Sequence, residues 1–258
     1  PEMKAGDSQF NAMLKVRYRD LKEGLKLELL PSLTYSINQQ RADDQHWDDR
    51  DSKTNAGLSV KYGLTSSVSL EGTVNPDFSQ IESDAFQMDV NQRYPIFYTE
   101  KRPFFMEGMD ALDFGLIMNG MMRRVVHTRK IVDPDWAAKI SGTSGKMLFN
   151  VLAASEGVGG DPAHPHSEGR IFWGIARGKY SLGGDNSIGF IYTGKRGDTS
   201  ENHVAGIDFQ YRFFKNTRFL LSYLNSDSSK NVAESEDSHR KGSGINSMFE
   251  YRSPEMDL

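Results

Sequence analysis

The stretch VAGIDFQYRFFKNTRFLLSY, residues 204–223, holds two alternating runs with a short break between them. In the first, Ala205, Ile207, Phe209, Tyr211 and Phe213 share one face, and Gly206, Asp208, Gln210 and Arg212 share the other. In the second, Phe219, Leu221 and Tyr223 oppose Arg218, Leu220 and Ser222. Successive strand side chains point to opposite faces, so the pair builds one apolar wall and one polar wall. Phe214–Asn216 is short enough to be a hairpin turn.

Outward from this hairpin the same pattern recurs. Strands are expected at Ala12–Tyr18, Leu25–Ile37, Leu58–Leu64 and Val68–Val74, the last two joined by Thr65–Ser67. Ala137–Ser141 and Lys146–Ala154 flank Gly142–Gly145, and Phe172–Leu182 and Ser187–Thr193 flank Gly183–Asn186. Gly244–Arg252 closes the series. Pro31 falls on the apolar face of its strand, where its missing N–H marks an edge or a bulge. Tight turns alternating with long loops, such as the acidic Asn38–Asn55, are the rhythm of an outer-membrane barrel. The expected fold is all-β: an antiparallel transmembrane β-barrel, partial, of about eleven or twelve strands. Residues 1–258 read as a single barrel segment, incomplete at its C-terminal end.

Composition agrees without deciding the matter. A hydrophobic content of 37% and a mean hydropathy of -0.58 supply no run of about 20 apolar residues, the length a spanning helix needs. A barrel needs only alternate residues to be apolar. A net charge of -4 with no basic face argues against nucleic acid as a partner. The absence of cysteine removes disulfides, thiolate chemistry and cysteine-bound zinc. No charged-then-apolar leader stands at Pro1, so any export signal is expected to have been removed or to lie outside the sequence.

One test separates lipid from water. The apolar register of the expected strands carries no Asp, Glu, Lys or Arg, while the opposite register is rich in them. A basic residue facing lipid at mid-depth costs about 2–4 kcal/mol, so a bilayer enforces this sorting. A soluble sandwich also alternates, with its apolar face inward. Tyr211, Phe213 and Phe219 near a short turn, with Tyr35, Tyr192 and Tyr223 near long loops, read as two interfacial girdles and favour the barrel.

Strand direction places residues 75–136 on the outer, long-loop side, as an insert far beyond ordinary loop length. Phe78, Phe86, Phe97, Phe104, Phe105, Met106, Met109 and Phe114 make it too apolar to stand in water. It is expected to fold into the barrel mouth as a plug or cap.

Three stretches of the insert carry a resemblance: Asn75-Pro76-Asp77-Phe78-Ser79-Gln80-Ile81-Glu82, Phe97-Tyr98-Thr99-Glu100-Lys101-Arg102-Pro103-Phe104-Phe105-Met106-Glu107-Gly108, and Ile131-Val132-Asp133-Pro134-Asp135-Trp136. They resemble the DUF5916 family, over a match running from about Leu25 to beyond Tyr223. The resemblance implies a bacterial, Gram-negative envelope protein in which a carbohydrate-binding module of the family 9 type precedes an outer-membrane barrel. By that resemblance this sequence is expected to cover the barrel region and not the module.

Candidate site residues follow from charge within the insert and on the polar face. Asn75, Asp77, Phe78, Glu100, Lys101, Arg102, Phe104, Phe105 and Glu107 are candidates for contacting a ligand or anchoring the plug. Buried charges need partners, so ion pairs to inward wall charges such as Arg17 and Arg177 are the expected role of Glu100, Lys101, Arg102 and Glu107. Asn75-Pro76-Asp77 reads first as a turn leaving its strand. Lumen charges are expected at Lys15, Arg17, Lys26, Glu28, Lys61, Glu71, Arg177, Lys179, Asp208 and Arg212.

Asp77 and Glu82 are weak candidates for the paired carboxylates of glycoside hydrolysis, which needs a separation of about 5–10 Å. Asp48, Asp49 and Asp51 are calcium candidates in a loop that lacks EF-hand spacing. His164 and His166 read as an exposed loop rather than half a metal site. No cofactor is expected. The expected function is a non-enzymatic outer-membrane barrel that binds or admits a ligand, a glycan being suggested by the family's attached module. The alternatives are a glycoside hydrolase and a structural subunit that meets an envelope partner through outer loops or open strand edges.

Overall fold

Alternation of the kind read above requires a partner strand on each side, and the structure supplies one to nearly every strand. In this computed structural model, residues 26–39, 51–76, 100–115, 125–157, 169–198, 200–214, 216–232 and 235–251 are described. They form ten strands: β1 Leu27–Asn38, β2 Asp51–Gly63, β3 Val68–Val74, β4 Pro134–Ser144, β5 Met147–Gly157, β6 Arg170–Gly183, β7 Asn186–Arg196, β8 Ser200–Phe214, β9 Thr217–Val232 and β10 Ser235–Tyr251. Each pairs antiparallel with the next in one sheet, in chain order. Among the described residues β1 and β10 have a single neighbour each, so the sheet is open. The expected strand Ala12–Tyr18 lies outside the described residues; the other ten are all present.

Several boundaries differ from expectation. The β4–β5 turn is Gly145-Lys146, with Gly145 at φ +58°, two residues later than expected. Gly142 lies within β4 at φ +148°. Its missing side chain lets the β2–β3 turn close in, so that the Thr143 N–H donates to the Ser67 carbonyl at 2.9 Å. The β6–β7 turn is likewise only Gly184-Asp185. β2 begins at Asp51, which pairs with Asn38, and so takes up part of the expected acidic loop.

Two expected long loops are short. Residues 197–199 join β7 to β8, and residues 233–234 join β9 to β10, because β9 has 16 residues and β10 has 17. Tyr223 therefore sits mid-strand, opposite Ile207 and Ile245, and not beside a loop. The outer ends of these strands are polar on both faces, which erases the alternation that reveals a strand.

The sheet has its polarity inverted relative to a water-soluble layer. Leu33 is 77% exposed, Ile207 58% and Phe190 47%, whereas Arg177 is 1% exposed, Lys139 2% and Glu71 5%. Registers tie the apolar residues into one continuous face, as in Ala176–Tyr192–Ala205 and Gly178–Phe190–Ile207–Tyr223–Ile245. The same register does carry charges beyond the far limit of that band, where Arg196 meets Glu201, His203 meets Asp227, and Asp227 meets Lys241.

The insert between β3 and β4 lands on the other face. Its described parts include a one-turn helix, α1 (Pro103–Met106), and 3-10 turns at Met109–Leu112 and Thr128–Lys130. Phe105, Leu112 and Ile131 pack against Ala137, Leu152, Ala154 and Ile175 of β4, β5 and β6. The charged wall thus contains an apolar landing site. β5 and β6 carry apolar residues on this inner register as well, among them Leu148, Leu152, Trp173 and Ile175.

Candidate functional site

The site is the contact zone between the insert and the charged face. Pro103 opens α1, where its fixed φ and missing N–H cost nothing, and the Met106 and Glu107 N–H groups bond back to Arg102 and Pro103. Gly108 then turns the chain at φ +72°. The short helix ends in carbonyls aimed at the wall. Lys139 of β4 donates to the Phe104 carbonyl and, at 2.8 Å, to that of Glu107, while its Nζ lies 3.0 Å from Glu71. Asn150 Nδ2 of β5 donates to the Gly108 carbonyl at 3.0 Å.

A second anchor lies across the sheet. Arg177 of β6 forms a two-pronged pair with Asp208 of β8, at 2.6 and 2.9 Å, and donates through Nε to the Asp113 carbonyl. Its guanidinium stands 5.5 Å from the Phe114 ring centroid. Planar, charge-assisted pairing of this kind is strong and directional. Gly189 is required beside it, because a Cβ there would come within 2.4 Å of the Arg177 Nη1.

Inside the insert, Glu100 and Arg102 pair at 2.9 Å, both almost fully buried. Thr128 Oγ1 donates to the same carboxylate at 2.6 Å, and Arg102 also donates to the Thr128 and Ile131 carbonyls. Burial pushes the Glu100 carboxyl up, but the hydrogen bonds from Arg102 and Thr128 outweigh it and hold it down at about 2. The Arg102 guanidinium lies 4.2 Å over the Phe105 ring. This cluster ties residues 100–105 to 128–131 across the insert.

The charges of this stretch take partners other than the wall arginines expected for them. Glu107 pairs with Lys61 of β2, Glu100 pairs within the insert, and Arg177 takes Asp208 and backbone carbonyls rather than an insert carboxylate. Phe104 is half-buried against Phe105, edge-on at 5.1 Å, and Lys101 is exposed. Asn75 fits the turn reading: it adopts φ +46°, and its side chain bonds Asn55 and the Ala56 carbonyl, each at 2.7 Å. Glu71, Lys61 and Arg212 share the charged face with Arg177 and Asp208, and Arg212 reaches Asp185 at the short-turn end.

Asp77, Phe78, Glu82, Arg17, Lys15, Asp48, Asp49, His164 and His166 lie outside the described residues. Asp51 opens β2, and no group of three or more metal-ligating side chains occurs among the described residues. Sequence reading missed Lys139 and Asn150 as anchors. Lys139 carried the one available signal, as a charge within an otherwise apolar strand, Ala137–Ile140.

Gly108 gives a direct test of the fit. A Cβ there would lie 3.0 Å from Asn150 Nδ2 and 3.1 Å from Ser141 Oγ, on a left-handed backbone. Gly108→Ala is expected to cost about 1–2 kcal/mol, read as a lower urea midpoint and faster amide exchange in residues 103–112.

Fold and site together define an all-β protein: an open antiparallel sheet whose charged face is occupied by a folded insert. A comparison with known families matches part of the chain. Residues 24–130 match the model described as a domain of unknown function, DUF5916, and this stretch belongs to that family. The match takes in β1, β2, β3 and most of the insert, including the first two motifs; Ile131–Trp136 falls just beyond it. No curated protein matches the chain.

Proposed function

We propose that the sheet is part of the wall of a bacterial outer-membrane β-barrel, with the insert as its plug, and that the lumen binds or admits a ligand. The observation that carries the reading is the inverted polarity of the two faces. Monomeric soluble proteins rarely expose contiguous apolar patches above a few hundred Å², yet here the apolar register of ten strands is open while Arg177, Lys139 and Glu71 are buried. The run Ala205–Phe213, bounded outward by His203 and Glu201, has about the 9–11 residues of a tilted spanning strand. Polar residues on the inner wall, with the insert packed on them, correspond to the plugged lumens of such barrels. Ligand selection then falls to the lumen charges, and the attached module typical of the resemblance keeps a glycan as the ligand class to try first.

Purified protein mixed with lipid vesicles and spun through a density gradient tests the location. It is expected to float with the vesicles and to require detergent for solubility in their absence. A monomer soluble without detergent, its apolar face covered by a second sheet, would overturn the reading.

A further inference from the structure

Two cavities lie on the same side of the insert, and they share their dividing wall. One, of about 320 Å³, is bounded by Ser32, Ser59, Glu71 and Phe104. The other, of about 710 Å³, reaches the short-turn end past Thr65, Ser69, Asp110 and Ser141. Glu28, Lys61 and Glu107 line both. The Lys61–Glu107 pair therefore stands where one cavity would open into the other.

We propose that these cavities are two halves of a path for small hydrophilic solutes along the β1–β4 wall, closed at its middle by the Lys61–Glu107 pair. This rests on the barrel reading above. The pair suits a gate because its side chains are 39% and 44% exposed, and half-exposed ion pairs are weak enough to break and re-form readily. The backbone beside it is fixed: Lys139 holds the Glu107 carbonyl and Asn150 holds that of Gly108. Rotation of the Glu107 side chain alone opens the divide, with the insert still docked. Glu28, Glu71, Glu107 and Asp110 outnumber Lys26 and Lys61 along the linings, and Lys139 neutralises only Glu71. Acidic linings favour cations, so the path prefers small cations to anions.

The test is conductance of the full chain in planar bilayers bathed in potassium chloride, after vesicle flotation has been scored. Under a potassium chloride gradient the current of the starting protein is expected to reverse on the potassium side, and Glu107→Ala is expected to raise conductance severalfold. The charge-exchanged double variant, Lys61→Glu with Glu107→Lys, is expected to return to within twofold of the starting protein. With no native cysteine in the chain, Lys61→Cys with Glu107→Cys adds an independent arm, in which oxidation lowers conductance and reduction restores it. A chain that floats with vesicles but conducts equally with and without Glu107, and is indifferent to the redox state of the double cysteine variant, overturns the gate and leaves the barrel reading standing. A chain that does not float overturns both.

Discussion

Replacing Ile207 with lysine is expected to destabilise the vesicle-bound protein by about 2–4 kcal/mol, the cost of a basic side chain facing lipid near mid-depth. Ile207 is 58% exposed and lies level with Phe190 on one side and Tyr223 on the other, well inside the apolar band. Among the described residues, nothing covers it closely enough for loss of contacts to explain such a cost. The control lies one turn of the pleat outward on the same register of the next strand. Asn225 pairs with Ala205 and Ser243, at the limit of the band, and Asn225→Lys is expected to cost about 0–1 kcal/mol, as near a membrane interface. The measurement is urea unfolding in vesicles for both variants and the parent. If the exposed face met water, both substitutions would be close to neutral, since exposed surface changes rarely exceed about 0.5 kcal/mol. Equal and negligible effects would therefore remove the bilayer from the account.

How far the fold could be read from sequence depended on where each strand's two faces differ. The hairpin of β8 and β9 was legible because Asp208 and Arg212 alternate with Ile207, Phe209 and Tyr211, and the registers follow that alternation. The outer half of β9 was not legible: from Asn225 to Ser229 both faces are polar, and a strand polar on both sides reads as loop. β5 was legible as a strand, but what covers it was not. Its two faces are both apolar, one exposed and one under Phe105 and Leu112, and a pattern without contrast does not say that an insert covers it. The site divides in the same way. Charge excess in residues 100–107 pointed to anchoring, since buried charge needs a partner. Which partner depends on how insert and wall dock, and no local pattern encodes that. Glu107 found Lys61 and Lys139 found two carbonyls, through contacts set by a sheet register that brings residues far apart in sequence within reach.

Arg102→Met is expected to have the largest effect of any single change in the insert, about 3–5 kcal/mol, because it strands a buried carboxylate. Glu100 would keep only Thr128 Oγ1 and the N–H groups of residues 101 and 102 as donors. The dependence on pH should then reverse sign. In the parent, the carboxyl sits at about 2, below its ordinary value of 4.5. Glu100 therefore contributes stability in full above 4.5, and that contribution is lost as pH falls toward 2. A depression of this size corresponds to about 3 kcal/mol. Without the Arg102 guanidinium, burial, the largest influence on this carboxyl, is opposed only by Thr128 and the backbone N–H groups and raises it above 4.5, so the penalty is full at neutral pH and shrinks as pH falls and the group becomes neutral. Amide exchange of residues 100–108 and 128–132 between pH 3 and pH 7 reads both trends. Acid should loosen the parent insert and tighten that of Arg102→Met. Pairing the change with Glu100→Leu should recover most of the loss, because an apolar pair of similar volume leaves no charge without a partner. If the single variant instead loosened with acid as the parent does, the Glu100–Arg102 pair would not be what fastens the two halves of the insert together.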